Sequence, residues 1–172
     1  MSNESIQTAL QAAIGYLAEN REEARSTDSI AIATIEEGLR CVVRGQDGAE
    51  IHTDMVASVG GDNTAPSPGW LLRAATASCV ATLIAMKAAL DEVELGNVEV
   101  AVDSQSDDLG ILGIDDNVPA GPLSVRVHAR VTPNGSDPDQ LREIITWAHD
   151  HCPLCDLTKR QVPIELEIEI DG

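Results

Sequence analysis

Apolar residues recur at helical spacing near the start of the chain. Ile6, Leu10, Ala13, Ile14 and Leu17 share one face, with Glu19, Glu22, Glu23 and the arginines on others. The pattern predicts an amphipathic helix over residues 4–25, broken at Ser26 to Asp28. Three short strand-like segments follow, 29–35, 39–44 and 49–57, with Gln46-Asp47-Gly48 as a hairpin turn between the last two. A loop of Gly60, Gly61, Asp62 and Asn63 leads into Ala65-Pro66-Ser67-Pro68, where Ser67 is placed to cap a helix and Pro68 to begin it. From there to about Leu90 nearly every face is apolar or small, and Arg73 and Lys87 are the only charges. Such a helix belongs in an interior.

Strand character returns at 97–104, and an Asp- and Gly-rich stretch, 105–121, reads as a flexible insertion. Residues 123–132 alternate Leu123, Val125, Val127, Ala129 and Val131 with Arg126, His128 and Arg130. Asn134 to Pro138 is a turn capping a helix that runs to about Asp150. A last strand, 163–170, alternates Ile164, Leu166, Ile168 and Ile170 with three glutamates. This order predicts an α+β fold with two antiparallel sheets around a buried central helix. It divides into an N-terminal helix, 1–27, and one domain, 28–172.

Composition narrows the partners. The 172 residues are 43% hydrophobic but lack Phe and are only 2% aromatic, so Leu, Ile, Val and Ala must fill the core. Twenty-nine Asp and Glu against 11 Lys and Arg give a net charge of −18. Nucleic acid and anionic membranes are therefore excluded as partners, because phosphates would be repelled. Lysine scarcity beside abundant carboxylates points to a salt-rich cytoplasm, where screening shortens repulsion to about 3 Å at 1 M. No basic, apolar leader opens the chain, and no run reaches the ~18 apolar residues of a membrane span. Cys41, Cys79, Cys152 and Cys155 are thus expected to be thiols in a reducing cytoplasm.

Those thiols carry the candidate chemistry. Cys79 lies about three turns into the central helix, and Cys152 follows the late acidic helix and precedes Pro153. One thiol in an interior and another at a helix exit is the layout of a two-cysteine redox mechanism. Cys152-Pro153-Leu154-Cys155 also reads as a CxxC pair, although such pairs usually open a helix and this one follows a helix. Cys155 is then an alternative resolving thiol, or one that passes a disulfide onward. His149, His151, Cys152 and Cys155, with Cys79 as a further ligand, have soft-metal spacing, which leaves a zinc-stabilised domain as an alternative. Cys41 reads as core beside Leu39 and Val43, and Trp70 and Trp147 as packing anchors.

Taken together, Gly60-Gly61-Asp62-Asn63 leading to Pro68, Leu71-Leu72 and Ala74-Ala75 leading to Ser78-Cys79, and Cys152-Pro153 resemble the OsmC/Ohr family of hydroperoxide-detoxifying thiol proteins. The resemblance spans about residues 35–171. It implies an intertwined homodimer with a thiol site at the interface, and a cysteine-based peroxidase acting in oxidative stress. Its substrate would be an organic hydroperoxide and its electron donor a thiol reductant, with no cofactor or metal. The peroxide-reacting cysteine falls on Cys79, the resolving one on Cys152, and the activating arginine on Arg44, with Arg40 the second candidate. Peroxide-reducing members carry a glutamate where this chain has Gly69. That departure favours the rival, a non-catalytic module binding a small apolar or thiol ligand. The chemistry itself sets one requirement. Burial raises a thiol's pKa, so a buried Cys79 needs a cation beside it to remain a nucleophile.

Overall fold

The computed structural model describes residues 3–160, 162–170 and 172. The first helix, α1 (Asn3–Glu19), is shorter than the pattern predicts. The backbone N–H and the side-chain amide of Asn20 both donate to the Tyr16 carbonyl, at 3.0 and 2.8 Å, and the chain leaves helical geometry there. Arg21–Ala24 then form a single 3-10 turn. Asn3 ties α1 to the body through a 3.2 Å bond from its amide to the Val93 carbonyl.

Strands β1 (Ala31–Glu37), β2 (Arg40–Gly45) and β3 (Glu50–Thr53) make an antiparallel sheet in that order. The turn between β2 and β3 falls at the expected residues, with Asp47 at φ 62° and Gly48 at φ 78°. The loop after β3 is organised by Asp54, which is 1% exposed. Its carboxylate accepts the N–H groups of Met55, Asp62 and Thr64 and the Thr64 hydroxyl, at 2.7 to 3.2 Å. Gly61 is required within this loop, since a Cβ there would lie 2.0 Å from the Met55 carbonyl oxygen.

The loop delivers the chain to α2 (Pro68–Leu90), capped as expected by the Ser67 hydroxyl, which accepts the Trp70 N–H at 3.2 Å. By length and composition alone α2 is apolar enough to cross a membrane. Here one stripe of it is buried, Thr76, Val80, Ile84 and Ala88 at every fourth position, while Trp70 and Leu72 stand exposed, so the helix is less interior than its composition predicts. Against that stripe lie Leu141, Ile144 and Ala148 of α4 (Pro138–Asp150). Val98 and Val100 of β4 (Leu95–Gln105) and Val127, Ala129 and Val131 of β5 (Ser124–Pro133) complete the cluster. Strands β4 and β5 form the second antiparallel sheet. The fold is thus the expected α+β arrangement of two antiparallel sheets with helices.

Three elements depart from the sequence pattern. The acidic stretch after β4 is built around a short helix, α3 (Asp108–Ile111). Asp107 accepts the Leu109 N–H at 3.0 Å, and a Cβ at Gly110 would fall 2.4 Å from the Pro119 carbonyl oxygen. Residues 162–170 are not in a strand, and none of the described strands pairs with them. Ile164, Leu166, Ile168 and Ile170 are accordingly 75 to 92% exposed. Third, the pair of cysteines does open a helix, α5 (Pro153–Lys159), with Pro153 in its first turn. The expectation that it merely trailed a helix missed this proline-initiated restart.

Candidate functional site

Cys79 reaches the site from α2, on the face that carries Leu72 and Thr76 at four- and three-residue steps. Cys152 sits at the joint between α4 and α5, where its N–H donates to the His149 carbonyl at 3.4 Å and its carbonyl accepts the Asp156 N–H at 2.9 Å. Cys155 follows one turn into α5. The three sulfurs belong to the same apolar cluster, and all are free thiols.

Their acidities diverge. Burial pushes the Cys79 thiol up to about 11, helped by hydrogen bonding and charge repulsion from Cys152 and opposed by the Leu154 N–H. Burial also works against ionisation of Cys152, but the Cys155 N–H, the Cys79 and Cys155 thiols and the Leu154 N–H together outweigh it, and its pKa is lowered. These N–H groups favour the anion without forming a regular cap bond. Cys155 is pushed up to about 11 by burial and by the neighbouring Cys152, with Lys159 pulling the other way. A negative charge in this cluster therefore settles on Cys152.

Beside the thiols lies a cleft of about 100 Å³. Its walls include Leu72, Val102, Val125, Val127 and Leu154, and its polar rim includes Arg73, His149 and Lys159. Cys155 lines it. Arg73 donates to the Ser104 hydroxyl at 3.2 Å, while Lys159 and His149 both contact Asp150, at 3.2 and 3.1 Å. Sequence reasoning passed over Arg73 and Lys159. The signal that marks Arg73 is its position one turn before Thr76, as one of two charges in an otherwise apolar helix.

The sequence-derived candidates are brought together only in part. Cys79 and Cys152 meet. Arg44 lies on β2, ion-paired with Glu50 at 2.9 Å, and among the described residues no arginine contributes to the shift of Cys79. Arg40 pairs with Glu37 at 3.1 Å, and its Nε is buried without a partner. His151 stacks on Trp147, centroids 4.1 Å apart, and its Nδ1 contacts the Trp147 carbonyl at 2.8 Å. Trp147 is a packing anchor as expected, whereas Trp70 stands 48% exposed. Among the described residues no group of three or more His, Cys, Asp or Glu side chains is arranged to hold a metal ion. The zinc alternative thus loses its ligand set.

The molecule is a two-sheet α+β fold that brings Cys79 of its central helix together with Cys152, at the head of a short late helix. Residues 61–167 match the family described as OsmC-like protein, and the chain belongs to that family. The fold is similar to the OsmC-like protein of Mycoplasma pneumoniae, with 12% identity, 78% of this chain and 89% of that chain covered, and a TM-score of 0.66. It is similar to the organic hydroperoxide resistance protein OsmC of Legionella pneumophila, with 21% identity, 78% and 91% covered, and a TM-score of 0.57. The organic hydroperoxide resistance protein OhrB of Bacillus subtilis matches at 21% identity, with 83% and 98% covered and a TM-score of 0.52. No curated protein matches the sequence.

Proposed function

We propose that the chain reduces organic hydroperoxides by thiol chemistry, with Cys79 and Cys152 as the redox pair. The observation that carries this reading is the contact between these two thiols, 73 positions apart in sequence, with one of them made acidic. The Cys79 thiolate attacks the distal peroxide oxygen; the O–O bond breaks, alcohol leaves, and Cys79 becomes a sulfenic acid. The Cys152 thiolate then attacks that sulfur, water leaves, and a disulfide forms. A lowered pKa suits Cys152 to this second step. A thiol reductant restores both cysteines. Fold-sharing hydroperoxide resistance proteins support the substrate class, and the apolar walls suit a lipophilic peroxide.

Among the described residues of one chain, no cation contributes to the acidity of Cys79, although the first step requires one. Our reading is a homodimer in which Arg44 of a second copy approaches Cys79. Support comes from the apolar residues that one chain leaves in water: Ile32, Ile35 and Ile51 on the first sheet, and the tail from Ile164 to Ile170. Thiols kept reduced, as this chemistry needs, fit a cytoplasmic location.

Gly69 and the unassisted, protonated Cys79 favour one rival, a non-catalytic module that holds a small apolar or thiol ligand in the cleft. Consumption of cumene hydroperoxide in the presence of dithiothreitol separates the two. The enzyme turns the peroxide over, and the module leaves it untouched.

A further inference from the structure

The three thiols differ in access. Cys79 is half-buried and does not line the cleft, and Cys152 has no exposed surface. Cys155 is 6% exposed and faces the cleft beside Arg73, His149 and Lys159. Cys152 stands between the other two, hydrogen-bonding with both, whereas Cys79 and Cys155 sense each other only through charge. A disulfide between Cys79 and Cys152 therefore has one sulfur that no outside reductant can touch. The thiol beside that sulfur opens onto a cavity.

We propose that Cys155 is a third redox thiol, which takes the disulfide from the Cys79–Cys152 pair and presents it in the cleft to a low-molecular-weight thiol. This inference rests on the hydroperoxide-reducing reading for its oxidant. In the first exchange the Cys155 sulfur attacks Cys152 Sγ. The Cys152–Cys155 bond forms, the Cys79–Cys152 bond breaks, and Cys79 leaves with the electron pair and takes up the proton that Cys155 loses. The small thiol then attacks Cys155 Sγ from the cleft, and Cys152 leaves as the thiolate. Exchange is faster when the departing sulfur is the more acidic one, and Cys152 is that sulfur. A second small thiol cleaves the mixed disulfide on Cys155, giving the oxidised reductant and the restored protein.

The order of events is built into the cluster. Reduced Cys155 is held protonated partly by the Cys152 anion. Once Cys152 is tied up in a disulfide that anion is gone, while the pull of Lys159 remains. Burial still acts on Cys155, but one of the influences that hold it protonated is lifted at the stage when its attack is needed.

The test maps disulfides by mass spectrometry in the full-length protein, after one equivalent of cumene hydroperoxide and, separately, after diamide. Diamide oxidises thiol pairs without a peroxide, so this arm reports on the relay even if no peroxide is consumed. A failure to consume peroxide overturns the preceding reading alone. In both arms the wild type should come to rest with Cys152 linked to Cys155 and Cys79 free. Limiting 2-mercaptoethanol should then leave its adduct on Cys155. In Cys155→Ser the bridge should stop at Cys79–Cys152, and its reduction by 2-mercaptoethanol should slow by about tenfold or more. A wild-type bridge resting at Cys79–Cys152, or an adduct on Cys79, overturns the relay and needs no variant to be seen.

Discussion

Cys79 and Cys152 touch through their thiols yet are driven in opposite directions, one held protonated and the other favoured as the anion. Buried sulfurs this close share one charge, and the N–H groups of Leu154 and Cys155 decide where it rests. The thiol more readily ionised at rest is consequently Cys152, the one we propose as the resolving thiol.

That asymmetry is measurable from the ultraviolet absorbance of thiolate in the folded protein, a readout that needs no reagent to reach the fully buried Cys152. The thiolate that forms first as pH rises should be lost in Cys152→Ser and kept in Cys155→Ser. Its survival in Cys152→Ser would mean the charge has been placed on the wrong sulfur.

The raised thiols also give stability a pH dependence of known sign. Cys79 and Cys155 have folded values near 11 against an ordinary 9.0, so the folded state binds their protons more tightly. Their contribution is fully present below pH 9 and is lost as pH rises from there toward 11. The midpoint of chemical denaturation should fall across that window, and fall less in Cys155→Ala. Asp54 behaves in the opposite sense. Hydrogen bonds led by the Thr64 N–H outweigh desolvation and lower its pKa, so its contribution holds above pH 3.8 and is lost in stronger acid.

If a second copy supplies the cation, Arg44→Ala should slow both Cys79 alkylation and peroxide turnover by about tenfold, the worth of one unit in thiol pKa. Unchanged turnover removes Arg44 from the mechanism. Replacing Ile164 and Ile168 by glutamate should convert a dimer to a monomer in sedimentation and lower turnover with it.

Two structural substitutions test the frame that holds the thiols. Ile84→Ala, at the fully buried centre of the α2 stripe, should cost about 2–5 kcal/mol in denaturant titrations. Gly61→Ala must displace the Met55 carbonyl and should cost about 1–3 kcal/mol. A neutral result at Gly61 would contradict the close approach described for that loop.

Much of this architecture was legible in the sequence. Ser67-Pro68 and Asp137-Pro138 each placed a helix start, because a capping oxygen followed by proline admits few other readings. Alternation located the five strands that pair within the chain. It failed at 162–170, where the period is the same but none of the described strands pairs with the segment, and pairing cannot be read from one strand alone. Helix α5 escaped because seven residues carry too little periodicity to compete with the cysteine motif they contain. At the site, the meeting of Cys79 and Cys152 followed from family likeness. The ordering of their acidities did not, since it depends on N–H groups of residues that are ordinary in sequence.

The most direct test is the rate of cumene hydroperoxide consumption with dithiothreitol as reductant, comparing the wild type with Cys79→Ser and Cys152→Ser. The wild type is expected to consume peroxide well above the uncatalysed background, and Cys79→Ser to fall to that background. A wild type indistinguishable from the background, or a Cys79→Ser variant as active as its parent, would contradict a peroxidase built on this thiol pair.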